Sequence, residues 1–331
     1  MQRNYVIENA QIVSALKSPK IFILIVNYNG FEDTVNCLAS LRKVHYPNFD
    51  ILVIDNASTN DSIKEISRWL DSTSLPYTVF DGSSQFTIKH KVTLITSRNN
   101  LGFGGANNVG IKIGLKQKVP FVLLLNNDTV VEPDFLDHMI ETIRSSDRIG
   151  IVGGKIYHMS DKEKIWYCGG WIDYIRGCAY HVEKDLSGKI ETTLVTGCLA
   201  LLNLEAVKTV GIFDERFFLN IEDWDLSFRM RQAGWKLIVD TDAIIYHRIS
   251  GSIGGPKSLR NQYYFHRNRL LFFYKHLHKI HKMFFFFSQA FIIIPLWILK
   301  ELSRRNLTDI KAFTLGTYDF LSKHFGKSER V

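Results

Sequence analysis

Cysteine, proline and glycine are all scarce in this sequence. Its 331 residues include four cysteines, seven prolines and 22 glycines, which excludes a disulfide-rich scaffold and a low-complexity chain. There is no C-x-x-C pair and no signal-peptide pattern, so we expect reduced thiols and a cytoplasmic location. With 46% hydrophobic and 22% charged residues, the composition is that of a globular chain with one large or two ordinary domains.

The positive charge is concentrated near the end of the chain. From Pro256 onward, 14 Lys and Arg residues stand against four acidic residues, so this segment carries +10 and the preceding residues carry −2. The basic residues are mixed with aromatic ones and no nucleic-acid recognition motif is present, which favours a membrane surface over nucleic acid. We divide the chain into a lead (1–20), an α/β domain (21–255, with halves 21–130 and 131–255) and a basic, aromatic, membrane-associating helical tail (256–331).

The tail contains an apolar run over 283–299, which is short for a membrane-spanning helix. Basic residues flank it on both sides, without the asymmetry of a spanning helix, so we expect it to lie on the cytoplasmic face of the membrane or form a re-entrant hairpin. A spanning helix and a buried core helix are the alternatives. The tail histidines His276, His278 and His281 lack the spacing of a metal site and are expected to be solvated or near lipid headgroups.

Apolar runs alternate with helical patterns through the first half of the chain. Strands are predicted at 21–26, 51–54, 92–96 and 121–125, with Asn56 or Ser58 capping one helix and another at 104–115. This alternation predicts an α/β fold with a mainly parallel sheet flanked by helices. Polar residues follow each strand, and because ligands bind at the carboxyl ends of such strands, these residues should converge on one crevice.

The second half of the chain has a less regular pattern. A helix at 135–143 and a strand at 149–153 are followed by 155–196, whose weak periodicity suggests an inserted lobe on the substrate side. A helix at 221–233 and a strand at 236–239 complete the α/β portion.

Two nucleotide-binding motifs are absent from the sequence. The stretch that begins Gly102-Phe103-Gly104 has Asn107 where a dinucleotide fingerprint needs its third glycine, so close helix packing also explains its glycines. There is no phosphate-binding P-loop. A nucleotidyltransferase would need a glycine-rich loop with a lysine near the first strand, and residues 27–33 contain no lysine.

Three acidic or imidazole positions could carry chemistry. Asp128 follows a strand and can ligate a divalent cation together with diphosphate oxygens, although an Asx turn would also explain it. Asp223 precedes a helical run and can act as a general base, although a helix cap would explain it as well. His247 is a possible metal ligand or a structural histidine.

Eight short motifs follow one another along the chain: Val26-Asn27-Tyr28-Asn29-Gly30, Val53-Ile54-Asp55-Asn56-Ala57-Ser58, Asn99-Asn100-Leu101-Gly102-Phe103-Gly104, Asn126-Asn127-Asp128, Thr196-Gly197-Cys198, Glu222-Asp223-Trp224-Asp225, Arg229-x-Arg231-x-x-Gly234-Trp235 and His247. Taken in this order, they resemble the family 2 inverting glycosyltransferases over about residues 21–269, and they look most like the rhamnosyltransferase branch, with galactofuranosyltransferases as near relatives.

The resemblance implies a GT-A fold that binds a nucleotide-sugar and inverts the anomeric centre in one displacement. It implies that Asp128 and His247 hold Mg²⁺ or Mn²⁺, and that Asp223 is the catalytic base. Arg229 and Arg231 cannot both face one site from a helix, so a structural ion pair is their expected role. The nucleotide-sugar-binding residues implied by position are Tyr28, Asn29, Asp55, Arg98, Gly102 and Asn127.

The expected activity is transfer of one sugar, rhamnose from dTDP-rhamnose, to a lipid-linked saccharide in cell-surface polysaccharide synthesis. UDP-galactofuranose and UDP-hexose are alternative donors, and a non-catalytic nucleotide-sugar or lipid-binding module is the alternative from another class. Polymer-making members carry Q-x-x-R-W, whereas Gln232 is followed here by Ala233-Gly234-Trp235, which favours single transfers.

Overall fold

A computed structural model describes residues 18–81, 88, 90–249 and 258–331. The predicted lead and the boundary at residue 256 fall largely outside these ranges. The strands are β1 (Ile21–Asn27), β2 (Phe49–Asp55), β3 (Tyr77–Phe80), β4 (Val92–Thr96), β5 (Phe121–Leu125), β6 (Thr129–Val131), β7 (Ile149–His158), β8 (Asp161–Tyr167), β9 (Gly170–Asp173), β10 (Cys178–His181), β11 (Lys189–Thr192), β12 (Leu199–Asn203) and β13 (Lys236–His247).

Among the described residues, helices occupy five of the connections between these strands and most of the C-terminal segment. They are α1 (Phe31–Leu41), α2 (Ser62–Ser72), α3 (Gly102–Lys116), α4 (Phe135–Arg144), α5 (Leu204–Val210), α6 (Glu222–Gln232), α7 (Leu259–His276), α8 (Lys279–Ser288), α9 (Ile294–Ser303) and α10 (Leu307–Leu321), with a π-helical turn (Gln289–Ile293) joining α8 to α9.

The main sheet has the order β11-β13-β7-β12-β5-β1-β2-β4-β3. The five strands from β3 to β5 run parallel, and β12 is antiparallel to both β5 and β7. The runs of β1 and β5 are almost fully buried because helices cover both faces. The sheet therefore confirms the expected α/β fold and brings the carboxyl ends of β1, β2, β4 and β5 to one edge.

The region over 155–196, for which an inserted lobe on the substrate side is predicted, is built mainly from strands. β7 continues to His158, β8 and β11 join the main sheet, and β9 and β10 form a small antiparallel pair. The aromatic side chains of this region pack locally, as in the Trp171–Tyr180 ring contact. This region thus extends the sheet beside the strand ends.

Helix α7 is part of the core, although it lies in the predicted tail. Tyr263, Tyr264, Phe272 and Phe273 are fully buried. His276 is half-buried, with a side chain that is 8% exposed, and its Nε2 lies 2.7 Å from Oδ1 of Asp225 in α6. The expectation of a solvated His276 was wrong, because Asp225 is a fully buried carboxylate that needs cationic or donor partners.

Candidate active site

A cavity of about 270 Å³ opens at the carboxyl ends of the parallel strands. One side, which we call the strand-end wall, is formed by Tyr28, Asn56, Asn100, Asn126, Asn127 and Asp128. The opposite side, which we call the loop wall, is formed by Phe218, Leu219, Asn220, Glu222 and Asp223. Of the polar strand-end residues predicted to converge on one crevice, Asn56 and Asn126 to Asp128 line the cavity, whereas Asn29, Arg98 and Asn99 do not.

Asp55 is buried beside this cavity and is held by its neighbours. Its Oδ1 accepts hydrogen bonds from Asn27 Nδ2 at 2.7 Å and Ser58 Oγ at 2.6 Å, and its Oδ2 accepts one from the Ser58 amide at 3.1 Å. Asn29 lies outside the cavity, where its Oδ1 accepts from the Thr59 amide at 2.8 Å. These contacts order the loops after β1 and β2, where the nucleoside is expected.

Asn56 lines the cavity instead of capping a helix. Its Oδ1 accepts from the Leu101 amide at 2.8 Å, and its Nδ2 donates to Asn100 Oδ1 at 3.1 Å. Helix α2 begins later, at Ser62. The predicted cap was wrong because the polar partners of Asn56 come from a distant segment that the local pattern does not reveal.

Gly102 is required by its backbone, whereas Arg98 lies outside the cavity. Gly102 has a φ of +73°, and a Cβ there would lie 2.0 Å from the carbonyl oxygen of Phe218. Any side chain at this position would therefore push the two walls apart. Arg98 is exposed and does not line the cavity, so a contact with the nucleotide is only a prediction for this residue.

Asn127 and Asp128 lie at the end of β5 and line the cavity. Asn127 Nδ2 donates to Thr34 Oγ1 at 3.1 Å and to the Gly30 carbonyl at 3.2 Å. Asn127 therefore joins the ends of two neighbouring strands. Oδ1 of Asp128 lies 3.1 Å from Nε2 of His247, which is the last residue of β13.

The Asp128 and His247 pair fits two ligands of one divalent cation. Asp128 Oδ1 and His247 Nδ1 are buried without a hydrogen-bond partner among the described residues. Two neighbouring ligands at about 2.1 Å from an octahedral ion are about 3 Å apart, close to the observed 3.1 Å. No group of three such side chains in the described ranges could hold an ion alone, so diphosphate oxygens and water would complete the site.

Burial alone would lower the pKa of His247, but the neighbouring Cys198 thiol and the Asp128 carboxylate raise that pKa to about 10. The Trp166 ring lies 4.7 Å from the imidazole and covers it on the cavity side. The Asp128 carboxylate thus stabilises a positive charge on the His247 imidazole. A bound cation would supply that positive charge instead.

Asp223 lies in the first turn of α6, where two backbone amides hold its carboxylate. The Gly197 amide donates to Oδ2 at 3.1 Å and the Trp224 amide donates to Oδ1 at 2.9 Å. The residue before the helix, Ile221, has a φ of +73°, an unusual value for a β-branched residue. Such strain is common where the surrounding structure fixes a functional group.

The two adjacent carboxyls differ in their environment. Burial raises the pKa of Asp223, while the amides of Gly197 and Trp224 lower it. Burial, aided by the charge of Asp223, raises the pKa of Glu222 to about 8, and Oε2 of Glu222 is buried without a hydrogen-bond partner. Near neutral pH, Glu222 is therefore protonated, and Asp223, held by two amides, is the carboxylate available to accept a proton.

Arg229 has a structural role, whereas Arg260 is a cavity residue that sequence reasoning missed. Arg229 Nε donates to Asp225 Oδ2 at 2.8 Å and its other nitrogens donate to backbone carbonyls, which confirms the expected ion pair. Arg260, in the first turn of α7, lines the cavity. Arg260 lies far in sequence from the strand-end motifs, and no local pattern predicts that it lines the cavity.

Two family models match the chain. Residues 22–211 match the model described as glycosyl transferase family 2, and residues 121–315 match the model described as glycosyl transferase family group 2. The second match extends through α7, which agrees with the burial of that helix in the same body.

Curated relatives are similar to this chain over most of its length. A poly-beta-1,6-N-acetyl-D-glucosamine synthase of Staphylococcus epidermidis is 25% identical over 256 residues, which cover 74% of this chain and 56% of that protein. The O-antigen biosynthesis protein RfbC of Myxococcus xanthus is 24% identical over 251 residues, covering 71% of this chain and 18% of that protein. The chain thus spans about half the length of the first relative.

Solved structures share the fold. The mannosyltransferase PcManGT from Pyrobaculum calidifontis, in complex with GDP-Man and Mn²⁺, aligns with a TM-score of 0.57 and 13% identity over 93% of this chain and 88% of that one. GalNAc-T7 with UDP, GalNAc and Mn²⁺ aligns with a TM-score of 0.62 and 17% identity over 93% of this chain and 58% of that one.

Proposed function

The chain belongs to glycosyl transferase family 2, and we propose that it transfers a single sugar from a nucleotide donor to a lipid-linked saccharide, with inversion at the anomeric carbon. The observation that carries this proposal is that Asp223, held by the amides of Gly197 and Trp224, lines the same cavity as Asp128, which is paired with His247. A proton acceptor and a cation-binding pair thus border one space at the strand ends.

The proposed mechanism assigns the proton to Asp223. An acceptor hydroxyl is a weak nucleophile, and a carboxylate that takes its proton during attack on the anomeric carbon contributes about 10²–10⁴-fold to the rate. The oxygen attacks from the face opposite the leaving nucleoside diphosphate, so the bond to the diphosphate breaks and the configuration inverts. The amides of Gly197 and Trp224 hold Asp223 in one orientation throughout.

The leaving diphosphate needs positive charge near the cavity. Arg260 lines the cavity on the side of the loop wall and is our candidate for a diphosphate contact. Asp128 and His247 would hold a divalent cation, which would supply further charge to the diphosphate oxygens when bound. The Mn²⁺ named for the two solved relatives supports this assignment.

Tyr28 and the groups around Asp55 form the proposed nucleoside side of the site. Asn56 and Asn127 line the cavity, while Asn29 and Asp55 order the loops beside it. Rhamnose from dTDP-rhamnose is the donor we propose, with UDP-galactofuranose and UDP-hexose as alternatives. The O-antigen relative supports a role in surface polysaccharide synthesis.

The donor and the reaction are tested together by nucleoside diphosphate release. Purified enzyme with Mg²⁺ or Mn²⁺ is given a panel of dTDP-, UDP- and GDP-sugars, with membrane lipid extract as acceptor. We expect acceptor-dependent release from one donor, and none with Asp223→Asn. If no donor is bound or turned over, the proposed function is contradicted and a non-catalytic role is favoured.

The helical segment Lys279–Ser303 is long and apolar enough, by length and composition, to cross a membrane. Its inner face packs on the protein, with Phe285 stacked on Phe273 at 4.3 Å and Trp297 beside Phe313 at 5.2 Å. Its outer face is exposed and apolar. The outer residues, each 59–69% exposed, are Met283, Phe284, Phe287, Phe291, Leu296 and Leu299.

We propose that this outer face lies on the cytoplasmic surface of the membrane. A helix that packs along the protein on one side cannot cross the bilayer without losing those contacts. Lysines and arginines at both of its ends, from Lys279 to Arg305, suit anionic headgroups. Such a position would keep the cavity near a lipid-linked acceptor.

Vesicle sedimentation tests this membrane contact. The triple variant Phe284→Ser, Phe287→Ser, Phe291→Ser should lose binding to vesicles of phosphatidylcholine and phosphatidylglycerol, because each serine removes exposed apolar area. The matched control is Ile175→Ser, at a residue that is 80% exposed outside this helix. Equal sedimentation of the triple variant and the wild type would contradict the assignment.

A further inference from the structure

The loop that carries the active-site wall has an unusual backbone. Phe218, Asn220 and Ile221 all have positive φ, at 59°, 66° and 73°. Such conformations cost about 1–3 kcal/mol each for non-glycine residues and persist only where surrounding contacts fix them. Phe218 and Asn220 line the cavity, and Asp223 follows two residues after Ile221. The contacts that fix this loop therefore bear on the position of the proposed base.

One side chain from α7 holds most of the loop. Asn268 is fully buried, and its Nδ2 donates to the carbonyls of Phe217, Leu219 and Asn220, the last two at 2.7 and 3.0 Å. The remaining carbonyl, that of Phe218, accepts from the Phe103 amide at 2.8 Å. All four consecutive carbonyls thus have a donor. The Phe217 carbonyl also accepts from the Leu219 amide of the loop itself at 2.6 Å and from Arg267 at 3.3 Å.

The neighbouring residue supports Asn268 and extends the contact. Arg267 is 1% exposed, and its Nε donates to Asn268 Oδ1 at 3.0 Å, which orients the amide with its nitrogen toward the loop. Its other nitrogens donate to the Arg216 carbonyl at 3.2 Å and to the Gly326 carbonyl at 2.8 Å. The chain near its C-terminal end is thereby joined to the segment before the loop.

We infer that Asn268 is a positioning residue for the transfer reaction, which acts through the carbonyls of Phe217, Leu219 and Asn220 to fix the loop wall and the direction of Asp223. This inference rests on the proposed function for its effect on catalysis. Aspartate at this position would keep the shape but present an anion to three carbonyls. A buried amide donor is therefore the property that the site requires.

The kinetic test compares Asn268→Asp and Asn268→Ala with the wild type. We expect kcat to fall about 10- to 100-fold, because a displacement of a reacting group by about 1 Å can lower the rate about 10²-fold. The KM for the donor should stay within about twofold, since the strand-end wall is untouched. The acidic limb of the pH profile should also move, because the Trp224 amide, which lowers the pKa of Asp223, lies in the first turn of the helix that the loop leads into.

The matched control is Asn306→Ala, which removes the partly buried side-chain amide of another residue in the C-terminal segment. Asn306 caps α10 by accepting from the Asp309 amide at 3.3 Å, and it donates to Glu301 at 2.8 Å. It contacts no loop residue through these bonds. This variant should lower Tm without changing kcat per folded enzyme or the pH profile. The inference is overturned if the Asn268 variants behave in the same way.

Hydrogen exchange gives a readout that does not depend on turnover. Amides of 217–225 should exchange faster in Asn268→Asp, whereas those of β1 and β2 should not change. If Asn268→Ala does not fold, Asn268→Ser, which keeps a smaller donor, takes its place in the same series. Faster exchange without any transferase activity in the wild type would uphold the loop contact and contradict the proposed function, while unchanged exchange would overturn the inference itself.

Discussion

The two walls of the cavity are built in different ways. The strand-end wall is held by bonds between neighbouring strand ends, such as Asn27 to Asp55 and Asn127 to Thr34. The loop wall is held by α7, through bonds from Asn268 to residues about fifty positions earlier in the chain. The difference indicates that the proposed nucleotide-binding groups and the proposed base depend on separate parts of the fold, so we expect their functions to be lost separately.

The largest effect should come from the loop wall. Asp223→Asn keeps the shape of the side chain but removes the base, and its Nδ2 cannot accept one of the two amide hydrogen bonds, so we expect kcat to fall by about 10³-fold. Binding of the nucleoside diphosphate, measured by calorimetry, should be unchanged. The exposed Glu163→Gln serves as the control. A variant that keeps more than a tenth of wild-type kcat would show that Asp223 is not the base.

The next effect should come from the strand-end wall. Asp128→Ala and His247→Ala each remove one proposed cation ligand, so Mn²⁺ binding, followed by electron paramagnetic resonance, should weaken about 100-fold or more. Nucleoside diphosphate affinity should then lose its dependence on the cation. Unchanged Mn²⁺ binding in both variants would place the cation elsewhere or exclude it from this site.

A smaller effect is expected at Arg260, which lines the cavity. Arg260→Gln removes a positive charge from the cavity, and charged hydrogen bonds contribute about 1.5–3 kcal/mol, so the Kd for the nucleoside diphosphate should rise about tenfold. The affinity for the nucleoside alone should not change, because it lacks the phosphates. Equal losses for nucleoside and diphosphate would contradict a phosphate contact.

The smallest effect is a change in pH dependence at Glu222. Its pKa in the folded protein, about 8, lies above the ordinary value of 4.5, so its contribution to stability is full below the unfolded pKa and is lost as the pH rises through 8. Glu222→Gln stays neutral, so its Tm should exceed that of the wild type at about pH 9 and approach it at low pH.

The same substitution sharpens the contrast between the two carboxyls. At neutral pH, Glu222→Gln should keep most of the activity, because the wild-type carboxyl is already protonated there. Above pH 8 the wild-type KM for the donor should rise as a second negative charge appears beside Asp223, while the variant should stay flat. A variant as inactive as Asp223→Asn would reverse the assignment of the two roles.

The strand-end wall could be predicted from the sequence to a large extent. Unbroken apolar runs predict buried strands. The residues that follow these strands, such as Asn127 and Asp128, lie at one edge of the sheet because the strands are parallel. The local sequence pattern did not predict the hydrogen-bond partner of each of these side chains. Asn56 was predicted as a cap but bonds to Asn100 and Leu101, since a side chain's tertiary partner is not a local property.

The loop wall was less accessible to sequence reasoning. Asp223 was predicted at the start of a helix, but nothing in 217–221 signals three left-handed residues, because none of them is glycine. The aromatic and basic pattern of α7 was interpreted as membrane-facing. Burial of Tyr263 and Phe272 requires the same apolar residues, so composition alone could not separate the two cases.

The most direct test of the account is the anomeric configuration of the transferred sugar, determined by nuclear magnetic resonance of the purified product. Direct attack by an acceptor hydroxyl that Asp223 deprotonates, from the face opposite the diphosphate, predicts a configuration inverted from that of the donor. Retention of the donor configuration would contradict a single displacement with Asp223 as base.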